Sequence, residues 1–341
     1  EGWTSGISGA QADDNVYENV YETLPYSYFY AESLPESYTG STTYVDKVSL
    51  TFTPESNSTY LIVASWLMAR SSTNRQVHAK LRRTTGTPKD FNELVYRPKD
   101  TTDYISGGAI GIDNFGISPS SQTYKIQFRT NDGIGYSYIK EAKIFAIRLG
   151  PNDVYAQSEA RSTTSSTSWQ TKVSLTFTPP SAGDYLVIAT ATADGNSTSY
   201  DFRVRLVIDG MPYNEVNIEP VYSQSRYLWA AVKRVSLSAN SHTISIQWCS
   251  ESTGAIAGIA HARIVALRLD RFPARYYAEN DPTATTNSVT YVNRTVLEEK
   301  TAMVDHLILG CAGISGSSTI YSTYVRLMGD STSYGEMLIE P

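Results

Sequence analysis

The chain contains a long internal repeat, and this repeat limits the possible folds more than any other feature. The heptapeptide KVSLTFT occurs at residues 47–53 and again at residues 172–178, an offset of 172 − 47 = 125 residues. A weaker third copy, RTVLEEKTAMVDHLILG, begins at Arg294, a further 294 − 172 = 122 residues along. Self-similarity at such a period indicates that one structural unit is built more than once. We therefore divide the chain into an N-terminal arm and three units: residues 1–27, 28–151, 152–272 and 273–341.

The second unit carries the clearest strand pattern. Val, Ile, Leu, Thr and aromatic residues alternate with polar residues in eight short runs, as in half-buried strands. The runs are VYAQSEAR, QTKVSLTFT, DYLVIATAT, YDFRVRLVI, YNEVNIE, YLWAAVKRVSL, HTISIQW and AHARIVALRL. Turn formers such as Asp209-Gly210 separate them, and no helical pattern is convincing. The prediction is an all-β chain of tandem eight-stranded antiparallel β-sandwich domains. They are jelly-roll-like, since the Cys…Trp…Cys pattern of immunoglobulin domains is missing.

The third unit is incomplete in this chain. Its segment YGEMLIEP at residues 334–341 aligns with YNEVNIEP at residues 213–220, and the later strands of the second unit have no counterpart. A sandwich without them would expose apolar faces and unpaired sheet edges. Two explanations stay open: a natural chain that continues beyond Pro341, or completion by strands of another copy. The arm contains one strand-like run, NVYENVYETL, and we expect it to dock on the first unit or on a neighbouring chain.

Charge and hydropathy exclude two classes of partner. A net charge of −6 and a pI near 5.3 argue against binding to a phosphate backbone, which requires clustered Lys and Arg. No apolar run approaches the roughly 20 residues that span a bilayer, so no membrane insertion is expected. Charged residues make up only 18% of the chain, and this composition, rich in Ser, Thr and Tyr, is typical of extracellular β proteins.

No residue pattern predicts catalysis. The four histidines lie where the sister unit carries a different residue, and none is part of a metalloprotease or nucleophile-elbow motif. They are His78, His242, His261 and His306. We expect no catalytic site and no cofactor, although a triad assembled from distant strands stays open.

Metal and disulfide chemistry are also not expected. Cys249 and Cys311 fall at non-equivalent positions of different units and form no CxxC motif. The acidic groups Asp13-Asp14-Asn15 and Asp100…Asp103 follow no calcium-loop pattern, so we interpret them as solvated loop residues. The sequence therefore predicts no metal site.

A basic and an acidic residue recur at equivalent positions on consecutive strands. The pairs are Lys80 with Glu93, Arg205 with Glu215, and Arg326 with Glu336. Because Val204 and Leu206 point to the opposite face of their strand, the charged residues should face outward. We predict cross-strand ion pairs, each contributing about 0.2–1 kcal/mol.

Aromatic residues and sequons are the remaining candidate sites. Tyrosine is abundant, at 25 residues. The aromatic candidates for a ligand or an interface are Tyr222, Tyr227, Trp229, Tyr136 and Tyr138. Such rings stack on sugars, but they also fill sheet faces and contacts between domains. Candidate N-glycosylation sites are Asn57, Asn196 and Asn293.

The repeated patterns KVSLTFTPPSAGDYLVIA and RVRLVIDG…EVNIEP resemble the tandem β-sandwich domains of prokaryotic cell surfaces and extracellular filaments, archaeal ones especially. The resemblance covers about residues 28–341 and implies an extracellular location with structural or adhesive work. We expect a non-enzymatic structural protein, the subunit of a surface filament, sheath or stalk, whose partners are copies of itself. Two alternatives stay open: a carbohydrate-binding adhesin module, with glycans as partners, and a virion spike or fibre.

Overall fold

A computed structural model describes residues 16–17, 27–73, 75–98, 104–220, 222–223, 225–272, 323–329 and 332–339. Of residues 16–17, 323–329 and 332–339 it describes only the backbone. Regular structure in these segments is β-strand apart from one 3-10 turn at Leu269–Arg271, which confirms the all-β prediction. Among the described residues, no helix has the length and apolar composition needed to cross a membrane.

Residues 28–151, here called repeat one, follow a two-residue strand of the arm, β1 (Val16–Tyr17). The strands of repeat one are β2 (Tyr28–Ser33), β3 (Ser37–Thr39), β4 (Val45–Phe52), β5 (Thr59–Arg70), β6 (Val77–Arg83), β7 (Lys89–Asp90), β8 (Leu94–Tyr96), β9 (Ile105–Asn114), β10 (Gln122–Thr130) and β11 (Ser137–Arg148). β1 pairs antiparallel with β2, so the described part of the arm docks on repeat one.

Residues 152–272, repeat two, contain the strands β12 (Val154–Ser158), β13 (Ser162–Thr164), β14 (Gln170–Phe177), β15 (Gly183–Gly195), β16 (Phe202–Ile208), β17 (Met211–Ile218), β18 (Arg226–Leu237), β19 (His242–Ser250) and β20 (Ala257–Arg268). Each of the eight predicted runs contains a strand, and the short strand β13, which follows the first run, was not predicted. The hairpin at Asp209-Gly210 turns with φ of 49° and 83°, as a two-residue type I′ turn requires.

The order of the strands in each sheet identifies the fold. In repeat two one sheet runs β12-β20-β15-β18 and the other β14-β19-β16-β17. Repeat one has the same arrangement, β2-β11-β5-β9 opposite β4-β10-β6-β8. Numbered along each repeat, the main strands lie in the orders 1-8-3-6 and 2-7-4-5, which is the two-sheet jelly roll. We call the 1-8-3-6 sheet of each repeat its inner sheet and the other its outer sheet.

Each repeat encloses its own hydrophobic core between its two sheets. Tyr60, Ile62 and Ala64 alternate along β5 into the core of repeat one, beside the fully buried Trp66. Repeat two is filled in the same way, around Trp229 among others.

The lysine of KVSLTFT has the same structural role in both repeats. Lys47 Nζ donates hydrogen bonds to the carbonyl oxygen of Pro35 and to the hydroxyl of Ser37. Lys172 Nζ donates in the same way to the carbonyl oxygen of Ala160 and to the hydroxyl of Ser162, and all three residues lie 125 positions after their counterparts in repeat one. Each lysine thus ties an edge strand of the outer sheet to the loop that divides the first strand of the inner sheet. Burial lowers the pKa of both ammonium groups.

A bulge at one position bends the inner sheet of each repeat. Glu141 on β11 and His261 on β20 have φ of 52° and 49°, in the left-handed region. Their backbone N–H groups donate to the carbonyl oxygens of Leu34 and Glu159, respectively, in the loops that divide the first strands. A left-handed residue that is not glycine costs roughly 1 kcal/mol or more, so the bulge is a strained but reproduced feature of the fold.

The described part of the third unit is a hairpin. β21 (Thr323–Gly329) pairs antiparallel with β22 (Thr332–Ile339), and the register places Arg326 directly opposite Glu336. How the third unit is completed stays a prediction, because its other residues lie outside the described ones.

Candidate functional site

The inner sheets of repeats one and two pack face to face through a third hydrophobic core. This core, here called the seam, contains side chains from β5, β9 and β11 of repeat one and from β15 and β20 of repeat two. Its fully or nearly buried members are Leu61, Ile110, Ile112, Ile147, Leu149, Ile188, Val265 and Leu267. Because these buried side chains come from both repeats, the seam fixes one repeat against the other.

The two sides of the seam are built from corresponding residues. Leu61 and Ile147 of repeat one occupy the positions of Leu186 and Leu267 in repeat two. Within YLIVA and YLVIA, successive side chains enter a repeat core and the seam in turn, so both faces of the strand are buried. An apolar run without polar alternation is the sequence signal of a strand covered on both faces, and here that signal pointed to the seam.

A buried arginine from repeat two anchors the polar border of the seam. Arg263, with a side chain only 1% exposed, donates from Nη1 to the carbonyl oxygen of Phe91 in repeat one at 2.7 Å. Its Nη2 lies 2.6 Å from Oε2 of Glu159. Burial opposes ionisation of Glu159, but the hydrogen bond from His261 and the charges of Arg263 and Lys89 outweigh it and lower its pKa to about 2. The carboxylate is therefore held in its charged form between the repeats.

A second carboxylate, Glu93 of repeat one, is held in a similar way. It accepts hydrogen bonds from His78 Nδ1 at 3.1 Å and from the Tyr44 hydroxyl at 2.6 Å, and Arg226 of repeat two lies 2.8 Å away. The hydrogen bond from His78, supported by Tyr44 and Arg226, lowers the pKa of Glu93 to about 2. Each repeat thus presents to the other a glutamate held by a histidine and an arginine.

Backbone pairing adds a further link. Arg226 at the start of β18 pairs with Val95 of β8. This bridge joins the inner sheet of repeat two to the outer sheet of repeat one in a sheet of ten strands. A charged pair, a backbone bridge and an apolar core therefore act on the same junction.

The recurring charged positions do not all pair as predicted. Arg205 and Glu215 lie 3.7 Å apart, and the guanidinium of Arg205 also donates twice to Gln247. The predicted pair of Lys80 with Glu93 is wrong. Lys80 Nζ lies 3.1 Å from Asp90, because the short strand β7 brings that carboxylate against β6. Glu93 is bound instead by His78 and Tyr44 of repeat one and by Arg226 of repeat two. For Arg326 and Glu336 the backbone register places the two residues opposite each other.

Trp229 is not an exposed ligand platform. Its side chain is 2% exposed in the core of repeat two, and its indole N–H donates to the carbonyl oxygen of Asn214. Tyr227 packs partly buried against the same core, near Phe202. The guanidinium of Arg97, in repeat one, lies over the ring of Tyr222, with its Cζ atom 4.7 Å from the ring centroid. These aromatics were predicted as a group, but strand alternation sends Trp229 inward.

Tyr136 and Tyr138 lie at the start of β11 in repeat one, beside the loop that follows β5. Tyr136 is 49% exposed and Tyr138 is half-buried. Beside them lies Tyr38, which the sequence reasoning missed and which is 66% exposed. Its signal was the short strand after Leu34-Pro35, too brief for an alternation pattern.

One histidine has the distances of a catalytic triad. His242 Nε2 lies 3.1 Å from the Ser238 hydroxyl, and Nδ1 lies 2.6 Å from Asp209. However, Nε2 also lies 3.2 Å from the carbonyl oxygen of Ser238, which favours a proton on Nε2 and opposes its action as a base. In repeat one Gln122 occupies the same position and bridges Ser120 and Thr85 in the same way. We therefore interpret His242 as a bridge between two turns.

The other candidate residues are separate from the seam. Cys249 is buried and free, while Cys311 lies outside the described residues. In the described part of the chain, no group of three or more His, Cys, Asp or Glu side chains could hold a metal ion. Asn57 and Asn196 are exposed in turns, and Asn293 lies outside the described residues. Asp13-Asp14-Asn15, Asp100 and Asp103 also lie outside them.

No protein-family model matches this sequence, and no curated protein sequence matches it. Among solved structures it is similar to one described as the triple jelly roll fold and turret assembly in an archaeal virus, with 13% identity and a TM-score of 0.24. That match covers 74% of this chain and 62% of the other, so this chain spans less than two thirds of that protein's length.

Two further structures illustrate the spread of the matches. A putative secreted protein from Parabacteroides distasonis shares 9% identity, covering 73% of this chain and 91% of that one, with a TM-score of 0.20. The CBM22-1-CBM22-2 tandem domain of Paenibacillus barcinonensis Xyn10C shares 8%, covering 76% and 99%, with a TM-score of 0.21. At such scores these likenesses say nothing about function, and the jelly-roll assignment rests on the strand order of the chain itself.

Proposed function

We propose that this chain is a non-enzymatic structural protein of the cell exterior, a subunit that assembles with its own copies into a filament, sheath or stalk. The observation that carries the proposal is the seam. Two jelly rolls are held together by an apolar core, by the hydrogen bond from Arg263 to the carbonyl oxygen of Phe91, and by the ion pairs Lys89–Glu159 and Glu93–Arg226.

A rigid junction of this kind suits a mechanical role. Two domains that contact only through a linker move relative to each other by default, and a large apolar contact suppresses this motion. A structural subunit has to transmit force without such motion. The seam residues are apolar side chains that pack against one another, which is the kind of contact that a rigid structural junction needs.

The test is electron microscopy of the purified chain, combined with its intact mass. Filaments with a regular axial repeat are the expected result, because a contact between copies that does not close generates an open polymer. Particles that stay monomeric over a wide range of protein concentration would refute the assembly proposal. Closed trimers would instead favour the virion spike or fibre.

A carbohydrate-binding adhesin is the second candidate. It is favoured by the exposed Tyr38 and Tyr136 of repeat one, which are not members of the seam.

A further inference from the structure

Three tyrosines meet at one corner of the inner sheet of repeat one. Tyr38 on β3 lies directly opposite Tyr138 on β11, and Tyr136 comes just before β11. The rings of Tyr38 and Tyr136 meet edge to face, with centroids 5.2 Å apart and an angle of 79° between the planes. The ring of Tyr138 lies 6.3 Å from that of Tyr38. We call these three residues the tyrosine patch.

Repeat two provides an internal comparison, because it builds the same corner without aromatic residues. There Thr163 on β13 lies opposite Gly258 on β20, as Tyr38 lies opposite Tyr138. Ile256 precedes β20 where Tyr136 precedes β11. The strand pairing of this corner therefore does not depend on tyrosine.

The two repeats fill the space beside this strand pair differently. In repeat two Asp194 lies opposite Gly258 and binds the guanidinium of Arg161 through both oxygens, at 3.0 and 2.5 Å. A Cβ atom on Gly258 would lie 2.2 Å from Asp194 Oδ1, so this ion pair leaves no room for a ring.

In repeat one, Ala69 occupies the position of Asp194 and lies opposite Tyr138, and Glu36 occupies the position of Arg161. With alanine in place of aspartate there is room for the ring of Tyr138, and the other two tyrosines extend outward. Tyr38 is 66% exposed and Tyr136 is 49% exposed. Packing does not explain two half-exposed aromatic rings at a corner that the same fold can close with an ion pair.

Polar groups border the tyrosine patch. Glu36 is exposed and accepts a hydrogen bond from the hydroxyl of Tyr104, which neighbours Tyr138. The ammonium group of Lys140 lies 4.1 Å from the centroid of the Tyr104 ring. A carboxylate and an ammonium group thus lie beside the aromatic rings, and together they carry no net charge.

We propose that the tyrosine patch is a carbohydrate-binding site for an uncharged pyranose unit of a glycan. The apolar face of the sugar would stack on an exposed tyrosine ring, while its hydroxyls would bond to the phenol groups, Glu36 and Lys140. A protein partner is disfavoured by area: two half-exposed tyrosines offer on the order of 200 Å², against about 800 Å² per partner in a stable protein interface. This site does not depend on self-assembly, and the two proposals are tested separately.

The experiment measures binding of four neutral oligosaccharides to the full chain by calorimetry: cellohexaose, xylohexaose, mannohexaose and chitohexaose. The variant Tyr38→Thr/Tyr136→Ile carries the residues of repeat two at both positions. The matched control is Tyr200→Thr, which removes a tyrosine of repeat two that is 43% exposed. We expect at least one probe to bind the native chain and to bind the double variant about tenfold or more weakly, as the loss of two ring contacts implies.

Binding that is unchanged in the double variant, or equally lost in Tyr200→Thr, would overturn the proposal. So would the absence of binding of every probe to the native chain at millimolar concentration. Tyr136→Phe keeps the ring and guards against a folding artefact: it should bind within a few-fold of the native chain, and a tenfold loss in this variant would rule out stacking as the basis of recognition. Thermal melting shows in each case whether the fold is retained.

Discussion

Truncation of Leu61 tests whether the two repeats are joined through the seam. Leu61 lies on β5 between Tyr60 and Ile62, which both enter the core of repeat one, so its own side chain leaves through the opposite face of the sheet. It is 0% exposed, and it belongs to the cluster that contains Ile188 and Val265 of repeat two. If repeat two did not cover this face, Leu61 would be a solvent-exposed residue on a strand.

The loss of unfolding free energy on truncation is several-fold larger for a buried leucine than for an exposed one. Replacing a fully buried leucine by alanine costs about 2–5 kcal/mol, since transfer free energy and packing are both lost. The same change at an exposed position is usually within about 0.5 kcal/mol of neutral. We expect Leu61→Ala to lower the free energy of unfolding by about 3 kcal/mol. If repeats one and two unfold together, this corresponds to a fall in Tm of roughly 6–12 °C.

The assay is urea denaturation followed by tryptophan fluorescence, with calorimetry on the same samples. Trp66 reports on repeat one and Trp169, Trp229 and Trp248 on repeat two, and the fluorescence of the native chain should show a single common transition. Ile117→Ala, at a position 82% exposed, is the control and should be neutral. A change below about 0.5 kcal/mol for Leu61→Ala, or two separate unfolding transitions in the native chain, would refute the seam.

Three further predictions concern the fold and its charges. Lys47→Met keeps the aliphatic chain but removes both hydrogen bonds of the ammonium group, and it should cost about 1–3 kcal/mol in urea denaturation; a neutral result would show that these bonds do not hold the loop. Glu141→Gly should lie within about 0.5 kcal/mol of the native chain because relief of the left-handed strain offsets the entropy of glycine. Glu141→Val should cost at least about 1 kcal/mol, and equal stabilities of the two variants would contradict the role given to φ. Because Glu93 and Glu159 have folded pKa values of about 2 against 4.5, their contribution is complete above about pH 5 and is lost as the pH falls towards 2. The urea midpoint should therefore fall over this range, less steeply in Glu93→Gln/Glu159→Gln, and parallel profiles for the two proteins would count against the charged border of the seam.

Local patterns sufficed for the strands and for the turn chemistry. Alternation located every main strand of repeat two, and Asp209-Gly210 predicted a tight hairpin because both of its residues accept positive φ. The same local reasoning failed at Trp229 and at Lys80. Side chains alternate between the two faces of β18, and that of Trp229 points into the core of repeat two. At Lys80 the nearest carboxylate came from β7, a strand of two residues that no periodicity could predict.

The internal repeat by itself determined that this chain builds one jelly roll more than once. Periodicity and turn residues act within a few positions of each other, so they are readable in the sequence. Only the tertiary structure decided which sheet faces meet, and that Glu93 pairs with Arg226 and Glu159 with Lys89 across the two repeats. It also decided that one corner is closed by Arg161 and Asp194 while its counterpart exposes tyrosines. These outcomes depend on contacts between residues up to 172 positions apart, such as Phe91 with Arg263, and a one-dimensional pattern carries no record of such distances.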